Sequence, residues 1–135
     1  MLTLRKFAFL ICPLGLLGAS AVNSLEGTYE YAGGIYNNKA EAASKEYKLQ
    51  RRYNDAEYEA TFIEPGQDTI VYEQGKYALP NDSTCLEIQT YSREPSKTLN
   101  KTMFYKYRIS HDTLTFRGTL PNGTTVQEYW KKVSR

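Results

Sequence analysis

The sequence predicts an all-β protein, an eight-stranded antiparallel up-and-down β-barrel preceded by a signal peptide. Two observations carry this prediction. Short runs of aromatic and β-branched residues are separated by turn residues along most of the chain, which is typical of antiparallel sheets. Within several runs apolar and polar residues alternate, as in Tyr58-Glu59-Ala60-Thr61-Phe62, and this period of two gives a strand one dry face.

The first 21 residues form the predicted signal peptide. Arg5 and Lys6 precede the apolar run Phe7–Leu17, and the small residues Ala19-Ser20-Ala21 follow it. Basic, apolar and small-residue regions in this order are typical of a secretory signal, and the apolar run is short for a membrane span. We expect cleavage after Ala21, a barrel domain over residues 22–135, a secreted or periplasmic location and no transmembrane span after cleavage. The alternative is a retained membrane anchor.

The two cysteines bear on tethering and on cross-linking. Cys12 would become the acylated N-terminus of a lipoprotein, but Ile11 stands where a small residue is needed, so we expect no lipidation. Loss of Cys12 with the leader leaves Cys85 as the remaining cysteine and excludes an intramolecular disulfide. We interpret Cys85 as a small, half-buried strand residue rather than a reactive thiol.

Eight strands are predicted in the region after the leader. One segment between them, Asn38–Ser44, has helical composition, but its helix-forming part, Lys39–Ala43, is only about a turn and a half long. The predicted strands are Leu25–Ala32, Ser44–Arg52, Glu57–Glu64, Thr69–Leu79, Cys85–Ser92, Thr102–Ser110, Thr113–Leu120 and Thr124–Val133.

Short turns connect most of these strands. Pairs and triplets such as Asn54-Asp55, Glu64-Pro65-Gly66 and Pro121-Asn122-Gly123 fix or permit the backbone angles of tight turns. Such connections join neighbouring antiparallel strands and are too short for parallel crossovers. A flat meander would expose two edges, and closing it into a barrel removes both.

Composition excludes several classes of function. The chain carries 17 basic and 15 acidic residues; two of the basic residues lie in the leader, so the barrel domain is formally neutral. This balance gives no reason to expect nucleic-acid binding. Phosphate-binding glycine loops and metal-binding cysteine pairs are absent, and a single histidine, His111, cannot make a typical zinc site. We therefore predict no metal and no cofactor.

Several short motifs resemble small secreted bacterial lipocalin-like (calycin-type) domains. Leu25-Glu26-Gly27-Thr28-Tyr29 resembles the Gly-x-Trp signature of the first strand, with Tyr29 in place of Trp. Gln127–Val133 is similar to the closing strand. Gly75–Leu79 with Leu86-Glu87-Ile88, and His111–Leu114, are similar to the central hairpins. The resemblance implies mostly an architecture, the lipocalin-like barrel, because many bacterial members have no assigned ligand.

The chain departs from that family at several points. Tyr29 replaces the tryptophan, Lys131 or Lys132 stands where arginine is usual, and the second signature and the disulfide have no counterpart. The first two departures weaken the cation–aromatic pair that closes one end of such barrels.

Tyrosine is the dominant aromatic residue, with twelve in the chain. It brings a ring for burial and a hydroxyl that needs a partner, so a tyrosine-lined cup suits an amphipathic ligand; alternatively, some of these rings cover the outside of the sheet. The predicted ligand-binding residues inside the barrel are Tyr29, Tyr31, Tyr58, Phe62, Glu87, Tyr105, Tyr107, Phe116, Glu128 and Trp130.

Glu87 and Glu128 stand among apolar neighbours in the middle of their strands. If they face inward, burial raises their pKa values unless a cation or a hydroxyl group stabilises the carboxylates. The cations considered are Lys76, Lys106, Arg108 and Lys132. Buried paired carboxylates can perform acid–base catalysis, but an internal ion pair or a solvent-facing position is the simpler interpretation, and we predict no enzyme and no catalytic residue.

The predicted function is therefore the binding of a small amphipathic or hydrophobic molecule inside the barrel. The alternative is a cell-envelope interaction or accessory module that has a filled barrel and acts through its outer face. The sequence predicts neither the ligand nor the oligomeric state, and it leaves open which face of the fifth and eighth strands is internal.

Overall fold

The computed structural model describes residues 24–134, which form a closed antiparallel barrel of eight strands with one additional short strand and no helix. The predicted all-β barrel is thereby confirmed. The predicted leader, its cleavage after Ala21, and Cys12 lie outside the described residues. The strands are β1 (Gly27–Tyr36), β2 (Lys39–Glu41), β3 (Lys48–Tyr53), β4 (Glu57–Ile63), β5 (Ile70–Asn81), β6 (Thr84–Ser92), β7 (Thr102–Ser110), β8 (Thr113–Thr119) and β9 (Thr125–Ser134).

The barrel closes between its first and last strands. Each strand from β3 to β9 pairs with its neighbour in the chain, β1 pairs with β3, and β9 returns to pair with β1 from Thr28↔Ser134 to Tyr36↔Val126. An irregularity between Tyr31 and Gly33 bends β1 along this seam, as an extra residue in one strand does. Within residues 24–134, no helix is long and apolar enough to cross a membrane.

Part of the segment with helical composition forms a short strand, since Lys39–Glu41 are β2. Asn37 and Asn38 both have positive φ angles, 50° and 66°, and asparagine tolerates this left-handed region in tight hairpin turns. The turn folds β2 back onto β1, where Gly34 pairs with Glu41. Seven residues are too few for a stable isolated helix, so sheet pairing prevails, and β1 runs to Tyr36, beyond the predicted end at Ala32.

Burial along the strands shows which residues face the interior. On β6, Cys85 and Glu87 are buried whereas Ile88 is 37% exposed, so the internal face of this strand is the one that carries the carboxylate. On β9, Val126 and Trp130 are buried, and Glu128 shares their face by alternation.

The lower half of the barrel is a packed aromatic core. Leu25, fully buried before β1, covers this end, and its backbone N–H donates to the Tyr77 hydroxyl at 3.3 Å. The Tyr77 hydroxyl in turn donates to the backbone carbonyl of Asn54. The core residues are Leu25, Tyr29, Tyr53, Tyr58, Tyr77, Cys85, Tyr107, Leu114, Phe116 and Trp130.

Glycines on neighbouring strands make room for the tyrosine rings. A methyl group on Gly75 would lie 2.5 Å from the ring of Tyr58 and would also meet the backbone carbonyl of Ile88, and one on Gly118 would lie 2.8 Å from the ring of Tyr105. Such distances are well inside van der Waals contact. The large rings therefore pack directly on bare backbone, which lets a narrow barrel hold many of them.

Candidate functional site

A buried ion-pair cluster lies at mid-height inside the barrel, centred on Arg51 of β3. Arg51 Nη1 donates to both oxygens of Glu87 at 3.0 Å and to the Tyr53 hydroxyl at 3.0 Å, while Nη2 donates to Glu73 Oε2 at 3.3 Å. The hydroxyl of Tyr53 donates to Glu87 at 3.0 Å, and that of Tyr58 to Glu73 at 2.5 Å. We call these five residues the Arg51 cluster. In this arrangement, charge-assisted hydrogen bonds offset the free-energy cost of burying the charged groups.

Burial and pairing act in opposite directions on the charges of the cluster. Burial raises the pKa of Glu87, while Arg51 and the Tyr53 hydroxyl lower it. Burial also opposes the charge of Arg51, but Glu87 and its other neighbours outweigh this and hold its pKa above the ordinary value. Burial likewise raises the pKa of Tyr53 and of Tyr58, so both hydroxyls remain donors at neutral pH. The cluster is therefore held together by Arg51.

The partner of Glu87 is a residue that the sequence interpretation missed. Lys76, Lys106 and Arg108 are exposed, and Lys132 lies over the ring of Tyr29, its Nζ 5.6 Å from the ring centroid. Lys132 and Tyr29 thus form a cation–π contact with each other. The sequence of β3 did indicate that Arg51 points inward, because Leu49, Arg51 and Tyr53 share one face of the strand by alternation.

Above the Arg51 cluster, the open end of the barrel contains a cavity of about 290 Å³. Arg51 and Glu73 belong to its floor, and residues 42–47, which leave the sheet between β2 and β3, form one side. We call residues 42–47 the strap. The cavity is lined by Tyr31, Tyr36, Glu41, Ala42, Ala43, Ser44, Tyr47, Leu49, Arg51, Tyr72, Glu73, Glu128 and Trp130.

A chain of hydrogen bonds fixes two tyrosines and a carboxylate in this lining. The hydroxyls of Tyr31 and Tyr36 are 2.8 Å apart, and Tyr36 donates to Glu128 Oε2 at 2.8 Å. Burial, together with these neighbours, raises the pKa of Tyr36, so the hydroxyl stays protonated and acts as the donor. Gly34 permits the arrangement, because a methyl group there would lie 2.9 Å from the Tyr31 hydroxyl and from the Tyr36 ring.

The cavity lining is also where side-chain hydrogen bonding is incomplete. Within residues 24–134, the buried side-chain polar atoms without a partner are Arg51 Nε and Trp130 Nε1. The Arg51 guanidinium carbon lies 5.3 Å from the centroid of the Trp130 ring and 4.8 Å from that of Tyr58. Buried polar groups are normally hydrogen-bonded, so each of these two N–H donors calls for an explanation.

The predicted interior residues divide between the core and the cavity. Tyr31, Glu128 and Trp130 line the cavity, and Phe62 packs on Tyr47 at its side, with ring centroids 4.7 Å apart. The remaining predicted residues are buried or half-buried below the cavity; they are Tyr29, Tyr58, Glu87, Tyr105, Tyr107 and Phe116. The lining residues that sequence reasoning did not single out are Tyr36, Glu41, Tyr47, Arg51, Tyr72 and Glu73 among the aromatic and charged side chains.

Two other candidate chemistries find little support in the described part of the chain. No group of three or more metal-ligating side chains occurs in residues 24–134. His111 is exposed in the β7–β8 turn, with φ 50°, where its Nδ1 lies 3.2 Å from the Ser110 hydroxyl. The thiol of Cys85 is fully buried rather than half-buried, and burial raises its pKa.

Comparison with known proteins gives no name to this site. No model of a known protein family matches the chain, and no curated protein matches it. The function is therefore inferred from the cavity and its chemistry.

Proposed function

We propose that this protein is an exported, lipocalin-like binding protein that holds a small amphipathic molecule in the cavity at the open end of its barrel. The single observation that carries the proposal is the cavity itself, about 290 Å³ in volume and lined by both rings and polar groups. An apolar cavity of about 150 Å³ accepts benzene, so a ligand of about a dozen non-hydrogen atoms fits this volume.

The contrast between the two halves of the barrel supports the same proposal. Below the Arg51 cluster the interior is filled by packed rings, whereas above it the rings of Tyr31, Tyr72 and Trp130 border open space. A binding site is expected to combine an apolar surface with a few fixed polar groups. The Tyr36–Glu128 pair and the floor carboxylate of Glu73 are such groups.

The size of the cavity limits the affinity. At about 0.5 kcal/mol for each non-hydrogen atom, a ligand of a dozen atoms gains about 6 kcal/mol. This corresponds to a Kd of about 40 µM. We expect measured Kd values in the low micromolar range or higher, rather than in the nanomolar range.

Trp130 makes the proposal directly testable. It is the one tryptophan of the chain, it lines the cavity, and it is 3% exposed. Titration of the purified protein with amphipathic compounds of about a dozen non-hydrogen atoms is expected to change Trp130 fluorescence saturably and to raise the melting temperature. Native mass spectrometry of protein purified from its source would detect a ligand already bound.

A matched pair of variants separates binding in the cavity from binding elsewhere. Ala42→Phe enlarges an exposed residue that lines the cavity, whereas Ala78→Phe makes the same change at an exposed position of β5. We expect the first variant to lose binding and the second to retain it. Equal binding by both variants would place the ligand outside the cavity and overturn the proposal.

A second candidate function is the envelope interaction module, and one surface favours it. On the outer face of β7 and β8, Lys106 pairs directly with Arg117, and Arg108 lies two residues further along β7. Phe104, on the same face, is 66% exposed. Like charges opposite each other destabilise a sheet, so this surface suits an anionic partner. Cosedimentation with anionic vesicles, lost in Arg108→Ala/Arg117→Ala, would support it; no sedimentation at low salt would oppose it.

We also propose that neither internal carboxylate is catalytic. Glu87 is 3% exposed and bound through both oxygens to Arg51, which leaves it no access to a substrate. Glu128 accepts from Tyr36, and its role in this proposal is to orient a ligand. Catalysis by Glu128 would be revealed if Glu128→Gln bound a compound that the unaltered protein consumes.

A further inference from the structure

We propose that the ligand of the cavity carries a positively charged amine group. This inference rests on the proposed function, since it names the chemical class of the molecule bound at the same site. It follows from the charges, rings and free acceptor atoms that line the cavity.

The charges of the cavity lining are unbalanced. Its carboxylates are Glu41, Glu73 and Glu128, and its one cation in the described residues is Arg51. Arg51 already holds Glu87 through both oxygens and Glu73 through one. The Arg51 cluster thus contains two carboxylates and one guanidinium, and the Glu128 carboxylate above it has no basic partner within 4.0 Å in residues 24–134.

Nearby lysines do not restore the balance inside the cavity. Lys45 and Lys48 line an adjoining groove, which shares Tyr31, Ala43, Ser44 and Tyr47 with the cavity; neither lysine lines the cavity itself. Lys48 is directed to Glu30, its Nζ 3.8 Å from the carboxylate, and its side chain is 64% exposed. A charge in such an exposed position is screened by solvent.

Two carboxylate oxygens in the lining remain available as acceptors. Glu128 receives its hydrogen bond from Tyr36 on Oε2, and Glu73 receives those from Arg51 and Tyr58 on Oε2. Within residues 24–134, no donor is bonded to Oε1 of either residue. An ammonium group has up to three N–H donors and no acceptor, and it therefore matches these sites.

The rings of the lining favour the same class of ligand. Tyr31, Tyr36, Tyr47, Tyr72 and Trp130 all border the cavity. The face of an aromatic ring attracts a cation, most strongly where water is excluded. A ligand carboxylate would instead be repelled by Glu73 and Glu128, because Arg51 already holds two carboxylates and its Nε, although without a partner, is buried. A neutral ligand would leave the excess negative charge of the lining unbalanced.

Three probes of one skeleton test the charge preference: phenethylamine, 2-phenylethanol and phenylacetate, which differ in the group at the end of the chain. Binding is measured by Trp130 fluorescence and by calorimetry. We expect phenethylamine to bind about tenfold or more tightly than the alcohol, and phenylacetate to bind most weakly. Binding of the alcohol or the acid as tightly as the amine would overturn the charge assignment while leaving the cavity as a binding site. Absence of binding by all three probes would count against the proposed function itself.

Conservative variants then assign the charge preference to particular residues. Glu128→Gln keeps the shape of the side chain and is expected to weaken the amine about tenfold with little effect on the alcohol. Glu41→Gln removes an exposed charge at the rim of the cavity, where no folding role is involved, and is expected to weaken the amine about threefold. Glu94→Gln, in the exposed loop between β6 and β7, is the matched control with unchanged binding. If Glu128→Gln and Glu41→Gln both bind the amine as the unaltered protein does, the carboxylates do not recognise the ligand.

Discussion

Replacement of Arg51 by methionine tests whether the buried ion pair holds the barrel interior together. The side chain of Arg51 is 12% exposed and that of Glu87 is 4% exposed, so Glu87 would be left buried without its cation. Removal of one partner from a buried pair costs about 3–5 kcal/mol. With a urea m-value of about 1.5 kcal/mol/M, the unfolding midpoint should fall by about 2–3 M, and the melting temperature by about 12–20 °C.

The double variant Arg51→Met/Glu87→Gln isolates the pairwise interaction. Arg51→Met leaves the buried charge of Glu87 without a partner, and Glu87→Gln removes that charge. We therefore expect the double variant to be more stable than Arg51→Met alone, with a coupling free energy of about 1–3 kcal/mol. Urea titrations followed by Trp130 fluorescence measure the free energies of unfolding of the unaltered protein, the two single variants and the double variant, since Trp130 is buried in the folded protein. Additive effects of the two substitutions would refute the reasoning.

The dependence on pH gives an independent check of the same mechanism. Burial raises the pKa of Glu87 and Arg51 lowers it, so loss of Arg51 raises this pKa further. A carboxyl with a higher pKa in the folded than in the unfolded protein binds more protons when folded. Its favourable contribution is present below the unfolded pKa and is lost as pH rises through the folded pKa. The deficit of Arg51→Met should therefore shrink between about pH 7 and about pH 4.5; a constant deficit would contradict this.

Three further predictions concern the packed half of the barrel. The Cys85 thiol, whose pKa burial raises, should resist a thiol reagent at about pH 8.5 and react after denaturation; rapid labelling of the folded protein would show an open core. Gly75→Ala should lower the free energy of unfolding by about 3 kcal/mol or more, because the added methyl group meets the ring of Tyr58. Gly66→Ala, in open space at φ 78°, is the control and should lower it by about 1 kcal/mol. Equal losses in the two variants would contradict the packing argument. Burial raises the pKa of Tyr29 to about 12, so its stabilising protonated form is present below the ordinary tyrosine pKa and is lost as pH rises through the folded value. Absorbance titration should accordingly show delayed tyrosine ionisation coupled to alkaline unfolding, and full ionisation near pH 10 in the folded protein would contradict it.

The barrel could be predicted from the sequence because its signals are local. Turn residues such as Pro121-Asn122-Gly123 end strands wherever the chain is placed in the fold, and the alternation around Tyr58 and Phe62 assigns a dry face without tertiary information. The additional strand β2 could not be predicted, because Asn38–Ser44 has a weak helical preference, which the asparagine turn and the free edge of β1 outweigh in so short a segment.

The partners inside the site could not be predicted, because they depend on distances across the barrel. Arg51 and Glu87 are 36 residues apart in the chain and lie on strands that are not neighbours. Arg51 next to Arg52 has the sequence pattern of a solvated basic pair, which outweighs the weaker indication from the alternation of Leu49, Arg51 and Tyr53. Burial in the structure shows that Arg51 points inward and Arg52 outward. Tyr36 was missed for a related reason, since the first strand runs further than its predicted end.

The position of the strap has a consequence for how such a protein can change during evolution. The strap follows β2, and β2 pairs with β1 alone. Residues 42–47 therefore take no part in the strand pairing that closes the barrel. Insertions and deletions there would alter the width and depth of the cavity without breaking the sheet. Under the proposed function, ligand selectivity and thermodynamic stability are therefore separable traits in this architecture: the first would drift with the length and composition of residues 42–47, while the second depends on the aromatic core below.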